Sequence, residues 1–174
     1  MTEKLNRNTH TINFALIICN SILYEKFRKN QQFSNPLSDL IDNLVTSAGY
    51  AVVSIQFLPD DRVMLGKQVG NVITSESVDA IIVCGGTGLR ISEITLECLR
   101  PLMVKTMPGF AEIFRKLIYE KIGLRAITLR ALAGITDHEK VLFCIPESLD
   151  SVKLVITQLI LPDIENILEK VQKS

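Results

Sequence analysis

Histidine and cysteine are scarce in this chain of 174 residues. It has two histidines, and none of its four cysteines is spaced as C-x-x-C (Cys19, Cys84, Cys98 and Cys144). Because zinc sites are built from closely spaced cysteines and histidines, the sequence argues against a zinc site. Three of the cysteines lie in or beside apolar runs, which predicts small buried side chains in a reducing compartment.

An excess of charge of either sign is also absent. The 19 Lys and Arg residues balance the 19 Asp and Glu residues, so the net charge is zero. A general binder of nucleic acid or of membrane surfaces needs a basic excess, and we therefore expect neither as a partner. The first apolar run, Phe14–Cys19, is too short for a signal sequence or a membrane span. The sequence predicts a cytoplasmic protein with one domain over residues 1–174, in which residues 1–11 form a flexible N-terminal arm.

Short apolar runs alternate with helical patterns along the chain. Buried strands are predicted at Phe14–Cys19, Tyr50–Leu58, Val78–Val83 and Val141–Ile145, with a further candidate at Arg125–Ile135. Helical spacing of apolar residues predicts helices around 37–45, 65–73, 110–118, 152–160 and 164–171, and the polar segment Tyr24–Ser34 predicts a loop. This alternation indicates the α/β class, with a three-layer α/β/α sandwich around a mainly parallel sheet.

In such sheets, ligands bind beyond the carboxyl ends of the strands. The rule selects the loops after Ile18, Leu58, Val83 and Ile145. The third of these loops contains Gly85, Gly86, Thr87 and Gly88, whose backbone N–H groups can approach an anion while Thr87 adds a hydroxyl donor. The alternative is a plain turn between a strand and a helix. The loop is neither a Walker A motif nor a dinucleotide fingerprint, because no G-K-[ST] follows it and no G-x-G-x-x-G frame fits.

Acidic residues occur near the same loops. Asp60 and Asp61 follow the second predicted strand and can hold Mg²⁺, although, taken alone, they are better explained by a helix cap with a neighbouring acid in the first turn. Glu93, taken alone, is an acid in the first turn of a helix. Since neighbouring strands lie only about 5 Å apart, Asp60 and Glu93 could converge on one cation. Ser148, after the last strand, can cap the next helix and place an anion at its N-terminus.

Several motifs then occur in an order that resembles a known family. These are IIVCGGTGLRISEIT, MPGFAEIFRKL, YEKIG, RALAG and LILPDI. They resemble the molybdopterin-binding family, which comprises molybdenum cofactor biosynthesis proteins of the MoaB/MogA type and the corresponding domains of gephyrin-like proteins. The resemblance extends from about Phe14 to Ile164.

The resemblance implies a molybdopterin-binding-domain-like fold, assembled as a homotrimer or a dimer of trimers. It implies an adenylyltransferase in which the terminal phosphate of molybdopterin attacks the α-phosphate of Mg-ATP and pyrophosphate is released. The implied ligands are ATP, Mg²⁺ and molybdopterin. Asp60 and Glu93 would be the catalytic and metal-binding acids. The implied substrate-binding residues are Asn20, Gly85, Gly86, Thr87, Gly88, Pro108, Gly109, Phe110 and Ser148.

The sequence also departs from the family pattern. The S-D that ends the first strand of the family reads Cys19-Asn20, and Glu93 stands where the family has Asp. The serine before the strand arginine is Leu129, beside Arg130. Glu147 replaces the glycine of the P-G-S loop, and a carboxylate about 4 Å from a phosphate charge costs on the order of 4 kcal/mol at an effective dielectric constant of 20. The Glu147 side chain must therefore point away from the phosphate, bind a cation, or prevent the phosphate from binding.

These departures leave two alternatives to the transferase open. One is a degenerate, non-catalytic member of the family that binds a pterin or nucleotide weakly or acts as a structural partner. The other is a different enzyme on the same fold, such as the related domain of competence-damage proteins.

Overall fold

The computed structural model describes residues 11–29 and 35–172, and within them it has six strands and seven α-helices. The strands are β1 (Asn13–Cys19), β2 (Ala51–Leu58), β3 (Ala80–Cys84), β4 (Met103–Thr106), β5 (Leu132–Thr136) and β6 (Val141–Ile145). The helices are α1 (Ser21–Arg28), α2 (Pro36–Ser47), α3 (Arg62–Ile73), α4 (Thr95–Leu99), α5 (Pro108–Ile122), α6 (Leu149–Val155) and α7 (Ile164–Gln172). Apart from Thr11, the predicted N-terminal arm lies outside the described residues.

The six strands form one mixed sheet in the order β2-β1-β3-β6-β5-β4. Strands β2, β1, β3 and β6 are parallel to one another, and the pairings of β6 with β5 and of β5 with β4 are antiparallel. Nearly every residue of β1, β3 and β6 is buried, because helices cover both faces of the sheet. Their short, continuously apolar sequences reflect this position.

Alternate side chains of the central strands enter two separate cores. Phe14, Leu16 and Ile18 of β1 pack with α2, α5, α6 and α7 on one face of the sheet. Ala15 and Ile17 pack with α3 and α4 on the other face. The predicted three-layer α/β/α sandwich is therefore confirmed. None of the helices in the described part of the chain is long and apolar enough to cross a membrane.

Two local predictions were wrong, and one strand was not predicted. The predicted loop Tyr24–Ser34 overlaps α1, a helix of only eight residues whose Leu23 and Phe27 pack inward without being fully buried, too short for a clear helical pattern; residues 30–34 lie outside the described part. The strand candidate Arg125–Ile135 is a strand only from Leu132, since Gly123–Thr128 forms a 3₁₀ helix. Strand β4 was not predicted, because Met103 is its only buried residue.

Candidate functional site

The four loops selected from the sequence meet at one edge of the sheet. Because β1, β2, β3 and β6 are parallel, their carboxyl ends lie side by side. Backbone hydrogen bonds join these ends, from Asn20 N to Leu58 O at 2.9 Å and from Gly85 N to Ile145 O at 3.1 Å. The loops after β1 and β6 also touch through Asn20 Nδ2, which donates to Glu147 Oε2 at 3.3 Å.

The glycine loop after β3 has a conformation that requires glycine at two successive positions. The φ angles of Gly85 and Gly86 are 95° and 62°, which lie in the left-handed region. A Cβ atom on Gly85 would overlap the carbonyl oxygen of Cys19, and one on Gly86 would overlap Thr95 Oγ1. The backbone is therefore in close contact with β1 on one side and with α4 on the other.

This conformation leaves three successive N–H groups without a protein acceptor. The N–H of Gly85 is used by Ile145, whereas no group within residues 11–29 and 35–172 accepts a hydrogen bond from the N–H of Gly86, Thr87 or Gly88. A run of unpaired backbone N–H groups in a turn is a binding site for anions. The geometry of the loop thus suits a phosphate group.

Arg130 binds the carbonyl side of the same loop, a role that the sequence did not reveal. Its guanidinium group donates to the carbonyl oxygens of Thr87 at 2.9 Å and Gly88 at 2.7 Å, with a longer contact to the carbonyl of Glu93 at 3.5 Å. It also forms an ion pair with Glu97, and this hydrogen bond lowers the pKa of the Glu97 carboxyl group. The guanidinium group therefore fixes the carbonyl groups and leaves the N–H groups for a ligand.

Thr95 is a second residue that sequence reasoning missed. Its side chain is fully buried, and its hydroxyl makes no hydrogen bond of ordinary geometry within the described residues. The hydroxyl lies against Gly86, beside the thiol of Cys19. A threonine at the start of a short helix has no distinguishing sequence signal, so only the structure places it under the glycine loop.

Asp60 lies where the loop after β2 meets β1. Its carboxylate accepts hydrogen bonds from Ser21 Oγ at 3.1 Å and from Cys19 Sγ at 3.5 Å, and Oδ1 would be 3.1 Å from a Cβ on Gly86. Burial, reinforced by the nearby Asp60 carboxylate, raises the pKa of Cys19 to about 12, so the thiol stays protonated as a donor. The neighbouring Asp61 caps α3 by accepting from Met64 N at 2.7 Å.

Glu93 approaches the other end of the glycine loop. Its carboxylate lies against Gly88, accepts from Arg90 N at 2.9 Å, and is 3.8 Å from Arg90 Nε. Asp60 and Glu93 therefore flank the loop at Gly86 and Gly88, respectively. Both predicted acids contact this loop.

A magnesium ion bound together with phosphates fits these residues better than one held by protein ligands alone. In the described ranges, no three His, Cys, Asp or Glu side chains are grouped so that they could hold a metal ion. Mg²⁺ commonly takes only one or two carboxylates and completes its shell with water and substrate phosphates. The exposed carboxylate of Asp60 beside the unpaired N–H groups meets this need.

The loop after β6 brings Glu147 to the glycine loop. Glu147 Oε2 would lie 3.1 Å from a Cβ on Gly85, so the side chain does not point away from the site. Its backbone is unstrained, since Glu139 is the only non-glycine residue with positive φ in the described part of the chain. The next residue, Ser148, caps α6 by accepting from Ser151 N at 3.3 Å and also donates to Ser151 Oγ at 2.7 Å.

The predicted residues Pro108, Gly109 and Phe110 lie apart from this cluster. They begin α5 directly after β4, and β4 is separated from β3 by β6 and β5. The ring of Phe110 packs on Phe143 of β6 with a centroid distance of 5.3 Å. The structure places these three residues at the same edge of the sheet without a contact to the glycine loop.

Comparisons with known proteins identify similar sequences and similar folds. A family model described as "Probable molybdopterin binding domain" matches residues 15–166. Molybdenum cofactor biosynthesis protein B of Staphylococcus aureus (strain COL) is 34% identical over 171 residues, which cover 98% of this chain and 96% of that protein.

Two solved structures have the same fold over almost their whole length. A crystal structure of a molybdenum cofactor biosynthesis protein B has a TM-score of 0.84 at 26% identity and covers 95% of this chain and 98% of that one. The tungsten cofactor synthesizing protein MoaB from Pyrococcus furiosus has a TM-score of 0.81 at 27% identity, with 94% of this chain and 98% of that one covered.

Proposed function

This chain belongs to the molybdopterin-binding domain family, and we propose that it acts in molybdenum cofactor biosynthesis by transferring AMP from Mg-ATP to molybdopterin. In the proposed reaction, a terminal phosphate oxygen of molybdopterin attacks the α-phosphorus of ATP. A new P–O bond forms there, the bond between the α-phosphorus and the bridging oxygen breaks, and pyrophosphate leaves. Adenylylated molybdopterin is the other product.

The observation that supports this proposal best is the run of unpaired N–H groups at Gly86, Thr87 and Gly88. Phosphoryl and nucleotidyl transfer ask a protein mainly to position phosphates and to stabilise the charge that develops on them. Backbone N–H groups held rigidly by Arg130 on their carbonyl side meet both needs. No nucleophilic side chain is needed, which agrees with a Cys19 thiol that stays protonated.

Asp60 is the residue that we expect to hold Mg²⁺. When bound, the ion supplies positive charge to the phosphates and orients them. Ser21 and Cys19 both donate to the Asp60 carboxylate and so fix its direction. Glu93, whose carboxylate is hydrogen-bonded to Arg90, stabilises the far end of the loop and is the second acid that we propose for the site.

Pro108, Gly109 and Phe110 are proposed to contact a part of the substrate remote from the reacting phosphates. They begin α5 at the same edge of the sheet as the glycine loop, which suits an extended substrate that has a phosphate at one end. Ser148 is proposed to bind the substrate from the loop after β6, where the N-terminus of α6 favours negative charge.

A pyrophosphate-release assay tests the proposal. Release that requires both molybdopterin and Mg-ATP, and that is lost in Gly86→Ala, is the expected result. One observation favours a second candidate, a non-catalytic binder, because the Glu147 carboxylate lies against the glycine loop. Binding by calorimetry without release would select that candidate, and neither binding nor release would contradict both.

We also expect a homotrimer, in accordance with the family resemblance. An apolar groove of about 610 Å³ lies between the edge strand β4 and helices α5 and α7, and Val104 and Ile113 in its wall are exposed. An exposed apolar surface of this kind is typical of an interface between subunits. Light scattering that gave a monomer at micromolar concentration would contradict the expectation.

A further inference from the structure

We infer that Glu147 makes the glycine loop selective for phosphates with a bound divalent cation, because its carboxylate weakens the binding of the metal-free anion. This inference rests on the proposed function, because it takes Gly86, Thr87 and Gly88 as the binding site of a phosphate group. It adds a specificity-determining residue at a position where the family resemblance places glycine.

The first step is the position of the carboxylate. Glu147 Oε2 accepts a hydrogen bond from Asn20 Nδ2 at 3.3 Å and would lie 3.1 Å from a Cβ on Gly85, next to the unpaired N–H groups. The Asn20 side chain is itself fixed, because its Oδ1 atom caps α1 by accepting from Ile22 N at 3.0 Å and Leu23 N at 3.1 Å. The Glu147 carboxylate is therefore positioned beside the N–H groups that are proposed to bind the phosphate.

The second step is the charge around the loop. Three carboxylates, those of Glu147, Asp60 and Glu93, lie against its glycines. The guanidinium group of Arg130 binds the opposite, carbonyl side and is paired with Glu97. The loop thus combines N–H donors suited to phosphate oxygens with an acidic border that repels an uncompensated phosphate.

The third step is the size of the repulsion. A carboxylate about 5 Å from a phosphate charge, at an effective dielectric constant of about 20, weakens binding by a few hundredfold, roughly 250-fold. Glu147 is exposed, so the higher effective dielectric constant near solvent, together with screening by salt near 0.1 M ionic strength, reduces this to about tenfold. A divalent cation on the phosphate reverses the effect, since the same carboxylate then faces positive charge.

The experiment compares wild type with Glu147→Gln, which keeps the length of the side chain and an acceptor for Asn20 but removes the charge. Calorimetry measures the affinity for ATP with EDTA and for ATP with excess Mg²⁺. Asp137→Asn is the matched control, because it changes the net charge equally at the opposite end of β6, more than about 15 Å away. We expect Glu147→Gln to bind metal-free ATP about tenfold more tightly than wild type and Asp137→Asn do, and to bind Mg-ATP no more tightly.

Other results would overturn the inference in distinguishable ways. Equal affinity of wild type and Glu147→Gln for metal-free ATP would overturn it and leave the proposed function intact. A gain of the same size in Asp137→Asn would also overturn it, because the effect would then be one of net charge. No binding of ATP to any of the three proteins, with or without Mg²⁺, would overturn the proposed function and the inference together.

Discussion

Replacement of Arg130 by methionine tests whether the guanidinium group holds the glycine loop in its binding conformation. The side chain makes two short hydrogen bonds to the backbone, to the carbonyl oxygens of Thr87 at 2.9 Å and Gly88 at 2.7 Å. Hydrogen bonds that involve a charged group contribute about 1.5–3 kcal/mol each. The ion pair with Glu97 is partly exposed on both sides and adds less than about 1 kcal/mol.

These terms predict that Arg130→Met lowers the free energy of unfolding by about 3–6 kcal/mol, because it leaves the carbonyl groups of Thr87 and Gly88 without a donor. Urea unfolding measures the change. Arg130→Lys keeps the charge but not the two parallel donors, so it should recover less than half of the loss. Arg125→Met is the control, since Arg125 is an exposed arginine in the preceding turn and its loss should change the stability by less than about 0.5 kcal/mol.

The pH dependence gives a separate check. Arg130 lowers the pKa of Glu97 in the folded protein, so this pair stabilises the fold above the ordinary carboxyl pKa of 4.5, and the contribution is lost as the pH falls through the lowered value. The deficit of Arg130→Met relative to wild type should therefore shrink in acid. A deficit no larger than that of Arg125→Met at pH 7, with the affinity for Mg-ATP unchanged, would refute the assigned role of Arg130.

Three other predictions concern Gly86, Asp60 and the buried cysteines. Gly86→Ala should weaken Mg-ATP binding and lower the stability by about 2–4 kcal/mol, because the φ of 62° and the contact with Thr95 exclude a side chain. In thermal unfolding the control Gly70→Ala should not be destabilised, since Gly70 lies in α3 with open space around its Cα. Asp60→Asn should weaken Mg-ATP binding at least tenfold in calorimetry yet change stability by no more than about 1 kcal/mol, and unchanged binding would remove Asp60 from the metal site. Burial raises the pKa of all four thiols above the ordinary 9.0. The free energy of unfolding in urea should therefore fall as the pH rises beyond that value, by about 1.4 kcal/mol per pH unit for each thiol. Cys144→Ala should make this dependence on pH less steep.

The sequence predicted the central strands because burial on both faces leaves a clear pattern. In β1, β3 and β6 nearly every side chain enters one of the two cores, so the continuous apolar runs located them to within two residues. Helix α1 and strand β4 lie at the surface, where few side chains are buried and composition is free to vary. Short elements with few buried side chains leave only a weak periodic signal.

The site shows the same division between local and long-range information. The rule that ligands gather at the carboxyl ends of parallel strands located the loops that contain Gly86 and Asp60. The roles of Arg130 and Thr95 depend on contacts with the glycine loop that sequence spacing does not encode. Arg130, for example, binds carbonyl groups more than 40 residues away in the chain, and backbone acceptors have no residue type to reveal them.

The two departures from the family pattern at this edge of the sheet are in direct contact. The resemblance places an acid after the first strand and a glycine after the last, whereas this chain has Asn20 and Glu147. Since Asn20 Nδ2 donates to Glu147 Oε2 at 3.3 Å, a carboxylate still occupies this edge, supplied by the loop after β6 instead of by β1. Either change alone would alter the charge near the glycine loop by one unit, but together they leave it unchanged. A paired change that keeps the charge argues for a site that works with a cation-bound phosphate, and it weakens the case that Glu147 marks a degenerate site.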